Sequence, residues 1–177
     1  MGRKREHYII DGYNVIHSWP ELEKLSRGEL AEARDRLLHI MQEYGAYESF
    51  DMTVVFDALF TTDEAHEEKR GSHLTVIYTA PGETADSCIE RLAYESVRMG
   101  REVHVVTSDG AEQSVILGAG AYRLPSRELL KQVKRVKKML RKDYLIPAAS
   151  VVSRNEIGGR IDRDTAAVLD ALRKGKN

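Results

Sequence analysis

The sequence predicts an α/β domain: a central, mainly parallel sheet of about five strands, with helices on both faces. Three observations predict it. Short apolar runs rich in β-branched residues recur along the chain, amphipathic stretches with apolar residues three and four apart lie between them, and the links are short. Strands that alternate with helices through short links return to one sheet in the same direction. A chain of 177 residues is enough for one such domain with a sizeable core and too short for two comfortable ones.

The first strand is Tyr8 to Ile10, an apolar run that stops at Asp11-Gly12. A run ending this way reads as a buried strand with a turn at its carboxyl end, which puts Asp11 on the rim and Asn14 on the following loop. Trp19-Pro20 marks a turn, and Leu30, Ala33, Leu37, Leu38, Met41 and Tyr44 place the apolar face of a helix between about Gly28 and Gly45. Met52 to Phe56 is the second strand and stops at Asp57. Residues 61–72 are polar, include HEEKRG, and read as a mobile surface loop. Leu74 to Thr79 is the third strand, closed by Pro81-Gly82, after which Thr84 caps a helix running to about Met99. Val103 to Thr107 is the fourth strand, ending in Ser108-Asp109-Gly110; a short helix covers Ala111 to Leu117, and Ala121 to Leu124 is the fifth strand. Pro125-Ser126 opens the last strong helix, to about Lys142, on the stripe Leu129, Val133, Val136 and Leu140. Beyond Pro147, residues 155–159 read as loop and 164–173 as a short helix.

Composition excludes several classes. A lone cysteine, Cys88, rules out an intramolecular disulfide and a multi-cysteine zinc site; it fits a reducing cytoplasm and reads as a small core residue. The start, MGRKRE, leads into no long apolar segment, so neither a signal peptide nor a membrane span is expected. The net charge of -1 hides local asymmetry and does not decide for or against a polyanionic partner. The six histidines show no metal-ligand spacing, and Gly118-Ala119-Gly120 leads into a strand instead of opening a helix, which excludes a dinucleotide fingerprint.

The acids carry the chemistry. Asp11, Asp57 and Asp109 each end a strand, Asp86 opens the helix after the third strand, and Glu90 lies one helical turn further on the same face. In a parallel sheet these side chains converge on the carboxyl edge, where ligands of open α/β sheets bind. Two carboxylates about 4 Å apart repel by roughly 4 kcal/mol at an effective dielectric near 20, so such a cluster needs a cation. The motifs DGYN, FDA, TADSCIE and TSDGAEQ contain no Lys or Arg. A hard divalent ion, magnesium or manganese, is the natural partner, and at an open rim it serves phosphoryl chemistry. Asn14, Thr107, Ser108 and Gln113 are placed to orient water or phosphate oxygens. The plainer roles are that Asp86 favours a helix dipole, Asp57 bonds loop amides, and Glu90 is a solvated helix residue. The last helix adds a basic face, Lys131, Lys134, Arg135, Lys137, Lys138, Arg141 and Lys142, suited to the phosphates of RNA or DNA.

Taken in series, IDGYNVI, VVFDA, GETADSCIERL and VTSDGAEQ resemble the NYN domain of the YacP-like family, within the PIN-like nuclease superfamily. The match covers residues 7 to about 142, and the ending DRDTAAVLDALRKGK is similar to the family's tail; one domain over 1–177, with 143–177 as a C-terminal extension, is therefore expected. The resemblance implies a three-layer α/β/α PIN-like fold and endoribonuclease activity on single-stranded RNA with magnesium or manganese. It also implies Asp11, Asp86 and Asp109 as metal-binding carboxylates with Asn14 beside them. The family includes a nuclease that cuts messenger RNA on translating ribosomes, so messenger RNA and the ribosome are expected partners on resemblance alone. The segment EAHEEKRG after FDA departs from a basic RNA-clasping loop. Two other readings compete. An aspartyl-phosphate phosphatase would carry a second Asp where Tyr13 stands, and a non-catalytic RNA- or ribosome-binding module would use the basic helix without the acids.

Overall fold

The computed structural model describes residues 5–58, 64–108, 110 and 113–145, the side chains of 113–115, 144 and 145 excepted. In chain order the elements are β1 (Glu6–Asp11), α1 (Gly12–Ser18), α2 (Pro20–Gly28), α3 (Leu30–Glu48), β2 (Asp51–Phe56), β3 (His66–Arg70), β4 (Leu74–Tyr78), α4 (Ala85–Arg98), β5 (Glu102–Val106), α5 (Gln113–Gly118), β6 (Tyr122–Leu124) and α6 (Ser126–Leu145). By backbone packing the chain divides into Met1–Val136 and Lys137–Asn177. The sheet belongs wholly to the first unit; of the second, only the continuation of α6 is described.

The six strands run β3-β4-β2-β1-β5-β6. All neighbours are parallel except β3 and β4. β1 is central because Tyr8, Ile9 and Ile10 are apolar on both faces and every one of them is buried. On one face Ile9, Val55, Val103 and Val105 pack with Ala85, Cys88, Ile89 and Ala93 of α4. On the other, Tyr8 stacks on Phe50 at 4.8 Å, and Tyr44 of α3 meets the same ring edge-on at 6.2 Å. Helices thus cover both faces, and the three-layer expectation holds. Each fully buried Ile, Leu or Val contributes about 1.5–3 kcal/mol of transfer free energy to this arrangement.

The expected apolar strands appear within one or two residues of their predicted bounds, and Thr84 caps α4 as expected, its hydroxyl oxygen accepting from the Ser87 N–H at 3.2 Å. Two expectations need correction. The segment HEEKR, read as part of a mobile loop, is β3, an antiparallel edge strand and the sixth of the sheet. An edge strand needs no apolar face, and its charges keep the free edge from pairing with another chain. Residues following Asp11 are not a loop either: α1 begins at Gly12 directly off β1, so Asn14 is helical. Of the predicted surface loop, residues 61–63 lie outside the described residues, as do the loop at 155–159 and the helix at 164–173. Among the described residues no helix is long and apolar enough to cross a membrane.

Candidate active site at the carboxyl edge of the sheet

Asp11 is both the last residue of β1 and the N-cap of α1, its Oδ1 accepting from the Asn14 N–H at 3.1 Å. An acid there satisfies one of the donors a helix leaves open at its start. The helix can begin so close to the strand because residue 12 has no side chain. A Cβ on Gly12 would lie 2.3 Å from the Phe56 ring of β2, well inside van der Waals contact. The Asp-Gly pair thus marks a strand-to-helix junction that holds the carboxylate half-buried at the middle of the edge.

The neighbouring strand supplies the second acid. Asp11 is level with Val55, so Asp57 stands two residues further along, just past the end of β2. Its Oδ2 accepts from the Ala85 N–H at 3.1 Å, the amide bond that sequence offered as its plainer role. Here that bond ties the end of β2 to the first residue of α4 and brings Asp86 to the same edge. Asp86 and Glu90 are exposed on α4. Neither has a hydrogen-bond or ion-pair partner among the described residues. The adjacent cation, Arg91, turns to Glu83 at 3.1 Å and Glu95 at 4.0 Å instead.

Asn14 links this acidic half to the other side of the edge. Its Oδ1 accepts from the Ser108 N–H at 2.7 Å, the Ser108 hydroxyl at 2.9 Å and the Ser126 hydroxyl at 3.1 Å. A backbone N–H can only donate, so the amide oxygen must face Ser108, and Nδ2 with its two donors faces away. Ser108 therefore positions Asn14, while Thr107 is fully buried beneath the rim. The Trp19 indole N–H donates to the Ser126 carbonyl oxygen at 2.9 Å and pins the end of α1 to the start of α6.

Asp109, expected beside these groups, lies outside the described residues, as does the side chain of Gln113 in α5. Among the described residues no three His, Cys, Asp or Glu groups are gathered closely enough to hold an ion. The α6 stripe Leu129, Val133 and Val136 is buried, and Lys131, Lys134 and Arg135 are exposed on the opposite face. Lys131 is paired with Glu128 at 2.7 Å. At 1.5 Å per residue, Lys134 stands about 12 Å along the helix from Ser126, so the basic face leads away from the edge. Lys138 falls in the second unit. Cys88 is fully buried, and burial pushes its thiol up to about 11, as befits a core residue and not a nucleophile.

Sequence reasoning passed over Arg123 and Arg127, which bracket Pro125-Ser126 where β6 gives way to α6. The available signal was two arginines flanking a strand's carboxyl end. It was masked by the longer basic run downstream.

A family model described as the YacP-like NYN domain matches residues 8–174. YacP of Bacillus subtilis (strain 168) is 41% identical over 133 residues, which cover 75% of this chain and 77% of that protein. The crystal structure of Rae1 (YacP) from Bacillus subtilis superposes with a TM-score of 0.68 at 32% identity, covering 95% of this chain and 94% of the other. That of a mutant of the same protein gives 0.64 at 34% identity, covering 94% and 99%.

Proposed function

This chain belongs to the YacP-like NYN domain family, whose domain is a PIN-like nuclease domain, and from that premise we propose that it is a divalent-metal-dependent endoribonuclease acting on single-stranded RNA. What supports the proposal is the order of Asp11 at the end of β1, Asp57 just past the end of β2 and bonded to the start of α4, and Asp86 in the first turn of α4, with Asp86 and Glu90 left without a cationic partner among the described residues. Carboxylates at an open rim, Asp86 and Glu90 without a partner among the described residues, fit magnesium or manganese, which take hard oxygen donors. Asp11, Asp86 and Asp109 would hold the ion, with Asp57 and Glu90 as further oxygen donors. When bound it supplies Lewis acidity at the phosphoryl group and lowers the pKa of a water.

The chain's own groups do the rest. Asn14, its oxygen engaged by Ser108 and Ser126, offers its Nδ2 donors to a phosphate oxygen or to water. Its backbone N–H keeps the Asp11 carboxylate in place. Ser108 and the buried Thr107 act as positioning residues, and Lys134 and Arg135 attract the RNA backbone at longer range. Messenger RNA on the ribosome is the substrate setting carried over from the family resemblance, and a cytoplasmic location goes with it.

The test is cleavage of a defined single-stranded RNA in manganese by the parent and by Asp86→Asn, alone and with translating ribosomes. Asp86 is exposed, so the variant should fold like the parent and lose cleavage. Equal cleavage by both proteins would remove the proposal. Undiminished RNA binding by a parent that never cuts would instead favour a binding module.

A further inference from the structure

On the β5–β6 side of the same edge, a cleft of about 610 Å³ opens beside Asn14, with His17 and Ser18 from α1 on one wall and Arg123 and Arg127 on the other. Among the described residues its lining contains no acid to balance its positive groups. Arg123 donates from Nη2 to the Ser108 carbonyl oxygen at 3.2 Å, while its Nε is buried with no partner among the described residues. Arg127 and His17 are exposed and make no hydrogen bond or ion pair with the described residues. The acid in the first turn of α6, Glu128, is taken up by Lys131.

The hydroxyls are already engaged. Ser18 donates to the Val15 carbonyl oxygen at 3.2 Å, and Ser126 donates to Asn14 Oδ1 at 3.1 Å. What remains for a guest is a set of guanidinium and imidazole donors, and such a set selects an oxyanion. Asn14 is a wall of this cleft and a neighbour of Asp11 at once, so an anion here lies beside the acidic half of the edge. A strand of RNA crossing that half brings phosphates that the carboxylates repel, and each needs a cation of its own.

We propose that the Arg123–Arg127–His17 cleft holds an internal backbone phosphate of the bound RNA strand, adjacent along the strand to the phosphodiester at the carboxylates. The assignment rests on the edge being an RNA site, as in the function proposed above.

The probe is a 3′-labelled single-stranded oligoribonucleotide, prepared with either a 5′-phosphate or a 5′-hydroxyl. It is titrated in EDTA and in calcium across a range of salt against the parent, Arg127→Gln and Arg123→Gln, with Lys69→Gln on the distant strand β3 as control. Because Arg127 is exposed, its variant keeps the fold. We expect affinity to fall about tenfold, with the slope of log Kd against log salt reduced by about one, equally for both RNA ends. The control should stay within twofold of the parent.

Unchanged affinity and slope in Arg127→Gln and Arg123→Gln would overturn the proposal. So would a parent that binds no RNA in either condition. A loss confined to the 5′-phosphorylated RNA would place a terminal phosphate in the cleft and overturn the internal assignment. Cleavage in manganese separates the two proposals. A parent that binds without cutting, with binding lost in the variants, would leave the cleft standing and the nuclease reading fallen. Variants that bind and cut like the parent would do the reverse.

Discussion

Gly12→Ala adds one methyl group at the point where β1 turns into α1. No positive φ is involved at residue 12, so the effect is steric. The new Cβ would meet Phe56 ring atoms at 2.3, 2.6 and 2.9 Å, more than 1 Å short of ordinary contact at the closest. The ring cannot swing aside freely, since Phe56 is fully buried with Tyr13 at 5.1 Å and Tyr78 at 5.5 Å between centroids. Overpacking of this kind costs about 1–3 kcal/mol, and the small helix-propensity gain of alanine at a first position offsets little of it. A net loss of about 2 kcal/mol should lower the thermal midpoint by roughly 4–8 °C in a domain of this size. Thermal and urea unfolding of the parent, Gly12→Ala, Phe56→Leu and the double variant would measure it. Phe56→Leu removes the colliding ring, so the double variant should lose at least about 1 kcal/mol less than the two single losses together. Additive losses, or a Gly12→Ala midpoint equal to the parent's, would refute the reasoning. Activity adds a second readout, because a displaced α1 also moves Asp11 and Asn14.

Two further predictions concern the scaffold. His7 is buried between Ser96 and Thr53, each hydroxyl 2.8 Å from a ring nitrogen, and burial, then the Arg101 charge, pull its pKa from 6.5 down to about 4 against the opposing pull of Asp51. The unfolded chain therefore takes up a proton that the folded chain refuses, so this contribution is complete above pH 6.5 and is lost as pH falls from there toward 4, about 3 kcal/mol in all. Urea midpoints from pH 7 to 4 should drop more steeply for the parent than for His7→Asn, and parallel curves would contradict the assignment. Trp19→Phe keeps the buried ring but leaves the Ser126 carbonyl oxygen without its indole donor; we expect a loss of about 1–2 kcal/mol and, under the proposed function, weaker RNA cleavage through loosened Asn14. A stability equal to the parent's would show that this bond does not hold the start of α6.

The legible part of the chain is the part whose pattern is local. Tyr8 to Ile10, Met52 to Phe56 and Val103 to Val106 read as buried strands because burial on both faces demands runs that are mostly apolar, here interrupted only by Thr53 and His104. Thr84 read as a helix cap because one hydroxyl answers one open N–H three residues on. β3 did not read as a strand, since an edge strand answers to its hydrogen-bonded neighbour, not to its own side chains. Asp11 read as a rim acid, yet its role as a helix cap depends on Gly12 finding Phe56, 44 residues away, and that pairing leaves no trace in the local pattern. The three bonds to Asn14 Oδ1 come from residues 94 and 112 positions downstream, out of reach of any spacing rule.

Sequence by itself determined the alternation of strand and helix and the placing of Asp11, Asp57 and Asp86 at the ends that face one edge, because each follows from periodicity and chain direction; the family it showed through the resemblance of four motifs in series. Only the tertiary structure decided which strands are neighbours, that Asp57 anchors α4, and that Asn14 stands, among the described residues, between the Asp11 carboxylate and the arginines at the start of α6. The reason is physical: backbone pattern sets what each segment is, while the partner of a charged or polar side chain is chosen by whichever distant group the sheet order brings within hydrogen-bond reach.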